Sequence, residues 1–153
     1  MARISLSRTV DVPASVCWRR VTDWGRHGDR VPFTRVFVAR GSGRECGDVV
    51  VARTGVGSVG FDDPMEIAEL RAPEPGPDAE GSGFCRLVKR GRLVRGWAEL
   101  SVTSVRGTSQ TEVRWEEEIR VAGVPGFADP VVAVVGRVVF GRALDHLLRG
   151  GPR

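Results

Sequence analysis

The alternation of apolar and polar side chains along the chain predicts seven β-strands. The first, Arg3–Val12, places aliphatic side chains on one face and polar ones on the other, which is typical of a half-buried strand. Six further strand-like runs follow, with glycine and proline turn signals between them. These runs are Thr34–Ala39, Asp48–Arg53, Met65–Arg71, Phe84–Lys89, Leu93–Val105 and Gln110–Val121. The Pro- and Gly-rich stretch 72–83 predicts an exposed loop.

Helical spacing appears in two places. Ala14–Thr22 predicts a short helix, and Gly28 and Pro32 bracket a second short turn or helix. Near the end of the chain, Asp129 as N-cap and Pro130 as first helical residue predict a long helix that runs to Arg149. Its first half is apolar on nearly all sides, so we expect it to pack either against the concave face of a sheet or against a partner subunit. Valine is a mediocre helix former, so a strand competes for this segment.

Composition narrows the class of protein. A length of 153 residues suits one domain, and no apolar run is long enough to span a membrane. The start of the sequence lacks the apolar region of a secretory signal, so we expect a cytoplasmic protein. Cys17, Cys46 and Cys85 are odd in number and far apart, which indicates free thiols. Two separated histidines assemble no metal constellation, and the glycine-rich nucleotide motifs are missing, so we expect no metal and no cofactor.

The charge of the chain invites a nucleic-acid partner but does not favour one. The net charge is +4, and the isoelectric point is near 9.7. The basic residues are scattered, however, and acidic residues lie among them, as in 115–120. Lys89 is the only lysine, and this use of arginine indicates a GC-rich genome rather than selection for phosphate contacts. We therefore expect no nucleic-acid partner.

Several motifs resemble those of the START/polyketide cyclase superfamily, also called SRPBCC or helix-grip proteins. Ser7–Ala14, followed by Val16–Trp18 and Val21–Trp24, is similar to its opening strand, "I-x-A-P" and "V-W-x-x-x-x-D". Gly107–Trp115 resembles its last strand, "G-T-x-V-x-W". Phe140–Leu147 resembles its C-terminal "F-x-x-x-L-x-x-L". The resemblance spans essentially the whole chain, and these motifs mark the architecture rather than the chemistry.

The resemblance implies an α+β fold and a type of function. The fold is a curved antiparallel sheet of about seven strands around the long C-terminal helix, with two short helices after the first strand, as one domain over 1–153. The order Val12-Pro13-Ala14 departs slightly from the usual Ala-Pro. Members bind lipids, sterols, aromatic polyketides or hormones between sheet and helix, and some catalyse cyclisation or dehydration. The fold alone does not decide between carrier and catalyst.

Candidate ligand-binding residues come from the inward face of the strands and from the facing helix. They are Met65, Ile67, Leu100, Val113, Trp115, Ile119, Val131 and Val135. Packing in an ordinary core is the alternative for each, since apolar residues fill interiors by default.

Two titratable residues are candidates for catalysis. Glu117 shares strand parity with Trp115 and Ile119, so an inward face would place its carboxylate among apolar neighbours as an acid or base. A register shift would instead leave it in solvent. His27 follows the first helix, near where this family closes its cavity, and could move protons near neutral pH or simply be exposed.

Three functions stay open on the sequence. The first is binding of a hydrophobic or aromatic small molecule, lipid or polyketide-like. The second is a cyclase- or dehydratase-like enzyme that uses acid-base residues of the cavity. The third is a protein-interaction module, such as a homodimer, that uses the valine-rich helix.

Overall fold

The computed structural model describes residues 1–74 and 81–150. Seven strands and two α-helices make up this part of the chain, together with short 3₁₀ turns at Trp24–Arg26 and Gly126–Ala128. The strands are β1 (Ala2–Val10), β2 (Thr34–Arg40), β3 (Val49–Val56), β4 (Val59–Arg71), β5 (Ser82–Arg90), β6 (Val94–Ser104) and β7 (Thr111–Val121). The helices are α1 (Ala14–Val21) and α2 (Asp129–Arg149). Part of the predicted 72–83 loop lies outside the described residues.

The strands form one antiparallel sheet in the order β1-β7-β6-β5-β4-β3-β2. After β1 the chain crosses through α1 to the far edge, then runs back strand by strand until β7 pairs with β1. This arrangement confirms the predicted curved sheet with a C-terminal helix. Within the described part, no helix has the length and apolar character to cross a membrane.

The region after β1 contains fewer helices than predicted. Only α1 is an α-helix, and Trp24–Arg26 adds a single 3₁₀ turn. The segment bracketed by Gly28 and Pro32 forms turns, since glycine and proline disfavour a continuous helix there.

Helix α2 packs against β1 and α1, with Leu144 and Leu147 fully buried. Its start differs from the prediction, because Ala128 occupies the N-cap position and no side chain caps the helix. Asp129 is the first helical residue, and its carboxylate instead contacts the amino group of Met1 at 2.7 Å. The predicted end at Arg149 agrees with the structure.

Strand β4 begins earlier than the sequence predicts and contains a bulge, although it ends at Arg71 as predicted. The strand begins at Val59 rather than Met65, because it forms a hairpin with β3. A bulge between Ile67 and Glu69 then reverses the alternation. As a result Leu70 packs against the core, whereas Glu69 is exposed.

Candidate functional site: a cavity with a buried polar cluster

A cavity of 230 Å³ lies between the concave face of the sheet and α2. Strands β2 to β7, the segment after α1 and one residue of α2 line it. The apolar lining consists of Trp24, Val31, Val36, Val50, Ala52, Phe61, Met65, Leu87, Val94, Ala98, Leu100, Trp115, Ile119, Val121 and Phe140. The polar lining consists of His27, Thr34, Thr54, Asp63, Lys89 and Glu117. The cavity is therefore mostly apolar, with a few polar groups at defined points.

Strand β7 supplies one wall of the cavity. Its inward positions alternate with partly exposed ones, so Trp115, Glu117 and Ile119 all face the cavity. Glu117 is only 2% exposed. A carboxylate this deeply buried needs a partner, because transfer of an isolated charge out of water is costly.

That partner is Lys89 on β5. Its Nζ lies 3.1 Å from Glu117 Oε1 and 2.6 Å from Asp63 Oδ2 on β4. It also donates to the sulfur of Met65 at 3.6 Å. We call Asp63, Lys89 and Glu117 the polar cluster, since strands β4, β5 and β7 bring these side chains together inside an apolar cavity.

The charges of the polar cluster hold one another in place. Burial opposes a charge on Lys89, but the two adjacent carboxylates outweigh it and raise the pKa of the lysine above its ordinary value. Lys89 is therefore an ammonium at neutral pH. Its role is to donate hydrogen bonds rather than to act as a free amine nucleophile.

Asp63 is the less satisfied carboxylate. Burial raises its pKa, and the neighbouring Lys89 only partly offsets that effect. Its Oδ2 accepts from Lys89, whereas its buried Oδ1 has no hydrogen-bond partner among the residues described. A buried acceptor without a donor is unfavourable unless something else occupies the space beside it.

Trp115 joins the polar cluster to the aromatic part of the cavity. Its indole Nε1 donates to Glu117 Oε2 at 3.1 Å, which orients that carboxylate. Its ring stacks on Phe140 of α2 with a centroid separation of 5.4 Å. Through this contact α2 closes the cavity from the side opposite the sheet.

His27 packs against two of the aromatic side chains that line the cavity. Its ring lies 5.1 Å from Trp24 and 5.6 Å from Trp115, centroid to centroid. Nε2 lies 2.7 Å from the carbonyl oxygen of Val21, so Nε2 carries the proton and donates it, and Nδ1 is the acceptor of the neutral ring. Burial lowers the pKa of His27, and this effect exceeds that of the hydrogen bond to the Val21 carbonyl, which raises the pKa. The imidazole is therefore neutral at physiological pH.

Comparisons with known proteins place this geometry in a structural class. No family model and no curated protein matches the sequence. Among solved structures, the lipid transfer and protein localization domain of human StarD13 matches with a TM-score of 0.67 and 13% identity, covering 92% of this chain and 74% of that one. A START superfamily protein from Mycobacterium smegmatis matches with a TM-score of 0.59 and 18% identity, covering 97% and 93%. An aromatase/cyclase, Zhui, from a Streptomyces species gives 0.59 and 14%, covering 96% and 93%.

The chain has the helix-grip fold of the START superfamily. The agreement extends over nearly the whole chain, whereas the low identities mean that it concerns the fold and not a shared site.

The structure brings six of the predicted site residues to this helix-grip cavity. Glu117 and His27 both line it, and so do the four residues Met65, Leu100, Trp115 and Ile119. Whether these residues bind or transform a ligand stays a prediction.

Four other predicted residues lie outside the cavity. Val113 and Ile67 are fully buried but belong to the packed core beyond the cavity lining. Val131 and Val135 are 64% and 55% exposed, because α2 turns its small residues Ala133 and Gly136 toward the sheet instead. These two valines therefore do not line the cavity, contrary to the sequence prediction.

Sequence reasoning missed the centre of the polar cluster. The sequence pattern did not identify Asp63 as a site residue, and Lys89 was noted only as the single lysine. Two signals could have found Lys89. It shares strand parity with Cys85 and Leu87, and it is a lysine in a chain whose other basic residues are arginines. In the described part of the chain, no three acidic, histidine or cysteine side chains group as a metal site.

An open groove of 910 Å³ adjoins the cavity between residues 25–35 and the β3–β4 hairpin. We call it the entrance groove. It shares Val31, Thr34, Thr54 and Phe61 with the cavity. Phe33 on its edge is 72% exposed and has a positive φ of 56°, a conformation that is uncommon for a bulky residue.

Proposed function

We propose that this protein binds a small hydrophobic or aromatic molecule in the helix-grip cavity. The observation that carries the proposal is an apolar cavity of 230 Å³ with a polar cluster at one point of its wall. Small-molecule sites in proteins have this composition, with apolar walls that supply affinity and a few convergent polar groups that fix orientation.

The volume limits the size of the ligand. An apolar cavity of about 150 Å³ holds benzene, so 230 Å³ fits a molecule of one or two rings with a short substituent. Trp115, Phe140 and Trp24 offer ring faces and edges to such a molecule. The polar cluster would bind its polar end, and the entrance groove is the route by which it would enter.

The structural neighbours support a ligand-binding role at the level of the fold. One is described as a lipid transfer domain and another as an aromatase/cyclase. Those descriptions apply to those proteins, and a shared fold does not transfer a substrate. We propose the cytoplasm as the compartment, since the three cysteines are free thiols.

Binding can be tested by filling the cavity. Ala98 lines it from β6 and is 4% exposed, so Ala98→Phe should occupy the space with a ring. Small neutral aromatic alcohols should change the tryptophan emission of the wild-type protein, because Trp24 and Trp115 line the cavity. We expect Ala98→Phe to abolish that saturable change.

The matched control is Thr103→Phe, which adds the same ring at an exposed position of the same strand. This variant should bind the alcohols as the wild type does. Equal binding by wild type and Ala98→Phe would show that the probes bind elsewhere, and the proposal would fail.

Acid-base catalysis is the second candidate, favoured by one observation. A neutral His27 and the carboxylates of the polar cluster line the same cavity. Such a pair could move a proton on the carbon next to a ketone, as in a cyclase- or dehydratase-like reaction. The test is deuterium incorporation from D₂O into 4-phenylbutan-2-one, followed by NMR, with His27→Gln as the inactive variant. If the wild type incorporates deuterium no faster than buffer does, catalysis is refuted and ligand binding remains as the proposed function.

A further inference from the structure

We infer that the ligand of this cavity carries a protonated amine, which binds the unpaired Oδ1 of Asp63. The inference rests on the proposed function and adds the chemistry of the ligand's polar end.

The hydrogen bonds within the polar cluster leave one buried acceptor unpaired. The three N–H donors of Lys89 go to Asp63 Oδ2, Glu117 Oε1 and the sulfur of Met65. The indole N–H of Trp115 goes to Glu117 Oε2. Of the carboxylate oxygens in the cluster, Asp63 Oδ1 therefore remains without a donor from the described residues. The site lacks a donor, so the ligand should supply one.

The charges of the polar cluster favour a cation. When both acids are ionised, two carboxylates and one ammonium sum to −1, inside a cavity whose other walls are mostly apolar. An uncompensated charge in such surroundings is costly, and an opposite charge within a few ångströms relieves it. A ligand ammonium at Asp63 Oδ1 would bring the group to neutrality, with two cations and two anions.

Other polar ends fit the cluster less well. A carboxylate would raise the buried charge to −2 and would meet acceptors rather than free donors. A hydroxyl could donate to Asp63 Oδ1, but it would leave the net charge in place. Because the amine would place a full positive charge beside the carboxylate in mostly apolar surroundings, in addition to a hydrogen bond, it should bind more tightly than the alcohol.

The position of Asp63 suits a short aromatic amine. Its neighbours on the inner face of β4, Phe61 and Met65, line the cavity, as do Trp115 and Phe140 on other elements. An ammonium at Asp63 would therefore place an attached ring among aromatic and aliphatic side chains.

Isothermal titration calorimetry with three matched probes tests the inference. The probes are 2-phenylethylamine, 2-phenylethanol and 3-phenylpropionate, which share a phenyl ring and a two-carbon chain but end in a cation, a neutral donor and an anion. We expect the wild type to bind the amine at least about tenfold more tightly than the alcohol, and to bind the acid most weakly.

Two variants and a control assign that preference to the polar cluster. Asp63→Asn should lose most of the preference for the amine while it still binds the alcohol, which also shows that the variant is folded. Glu117→Gln should reduce the preference, since it cancels the net charge but keeps Asp63. Asp62→Asn alters the exposed neighbouring carboxylate and should behave as the wild type.

The outcomes separate this inference from the proposed function. Alcohol binding that equals or exceeds amine binding, or tightest binding of the acid, would overturn the ammonium assignment and leave aromatic binding intact. A preference for the amine that survives in Asp63→Asn would overturn it as well. If none of the three probes binds the wild type, the proposed function fails together with the inference.

Discussion

Lys89 is buried between two carboxylates, with 8% of its surface exposed. It is the single lysine of the chain, which otherwise uses arginine. The residue type suits the position. A lysine ammonium is compact and has three donors, whereas a planar guanidinium has five donors in a fixed fork. Two carboxylates and a thioether take up the donors of Lys89. An arginine here would bring additional donors into an apolar cavity.

Removal of this ammonium should strongly destabilise the fold. Lys89→Met leaves Asp63 and Glu117 as adjacent buried carboxylates, and breaking a buried pair by removing one partner costs about 3–5 kcal/mol. Urea unfolding at pH 7 should show that loss. The additional substitution Glu117→Gln should recover part of it, since it removes one of the two uncompensated charges.

Arg86→Met is the control on the same strand. Arg86 lies on the opposite face of β5, where it pairs with Glu99 at partial exposure. Exposed ion pairs contribute about 1 kcal/mol or less, so this variant should unfold close to the wild type. Similar losses for Lys89→Met and Arg86→Met would contradict the account of the polar cluster.

His27 should make stability depend on pH in the mildly acidic range. Burial lowers its folded-state pKa below the ordinary value of 6.5. The folded state therefore favours the neutral ring, and its contribution to stability is present above pH 6.5 and is lost as the pH falls through the folded-state pKa. The unfolding free energy of the wild type should decrease more between pH 7 and pH 5 than that of His27→Gln. Parallel profiles for the two proteins would refute this assignment.

Strand parity predicted part of the site at this scale. It identified the inward face of β7, with Trp115, Glu117 and Ile119, because alternation has a fixed period. It could not place Asp63, because the predicted strand begins at Met65, whereas β4 begins at Val59. The sequence of a single strand also does not indicate which charged residues lie on the strands beside it. The polar cluster depends on the pairing of β4, β5, β6 and β7, and that pairing is a property of the folded sheet.

At the scale of the elements, Gly96 lies directly against the backbone of β7. Its φ is +130°, and a Cβ at this position would lie 1.8 Å from the carbonyl oxygen of Glu118 on β7. Backbone cannot give way as a flexible side chain can. Gly96→Ala should therefore separate the two strands beside Ile119, a residue of the cavity wall, at a cost of roughly 3 kcal/mol or more.

Gly107→Ala is the control that separates the cost of a positive φ from the cost of a steric clash with a neighbouring strand. Gly107 also has a positive φ, of 74°, but a Cβ there would meet nothing within 4 Å. The expected cost is roughly 1 kcal/mol, the usual penalty for an L-residue in the left-handed region. Denaturant unfolding of both variants measures the difference. Equal losses would show that close approach of β6 and β7 is not what Gly96 provides.

The long helix illustrates the limit of pattern reading for an element. Its extent was predictable, because proline near its start and glycine after its end mark both boundaries. Its orientation was not, because a segment that is apolar nearly all round does not state which side meets the sheet. The structure turns Ala133 and Gly136 inward and leaves four valines, at 131, 134, 135 and 138, half exposed or more. Contact with a second copy through them stays a prediction.

For the whole molecule, the order of elements was the strongest predictor. Strands grouped together before a single long helix favour a layered α+β fold, and the motifs from Ser7 to Leu147 agreed with it. The cavity did not follow from that order. Its volume depends on how far α2 stands off the sheet, which is set by contacts such as that between Phe140 and Trp115. Such packing distances are not encoded in periodicity.

The most direct test of the central claim is a crystal structure of the protein grown with saturating 2-phenylethanol, a neutral probe that does not presuppose the ammonium. The account predicts the phenyl ring inside the cavity among Trp115, Phe140 and Leu100, with the hydroxyl within hydrogen-bond distance of the polar cluster. An empty cavity under these conditions, or a ring bound only in the entrance groove, would contradict it.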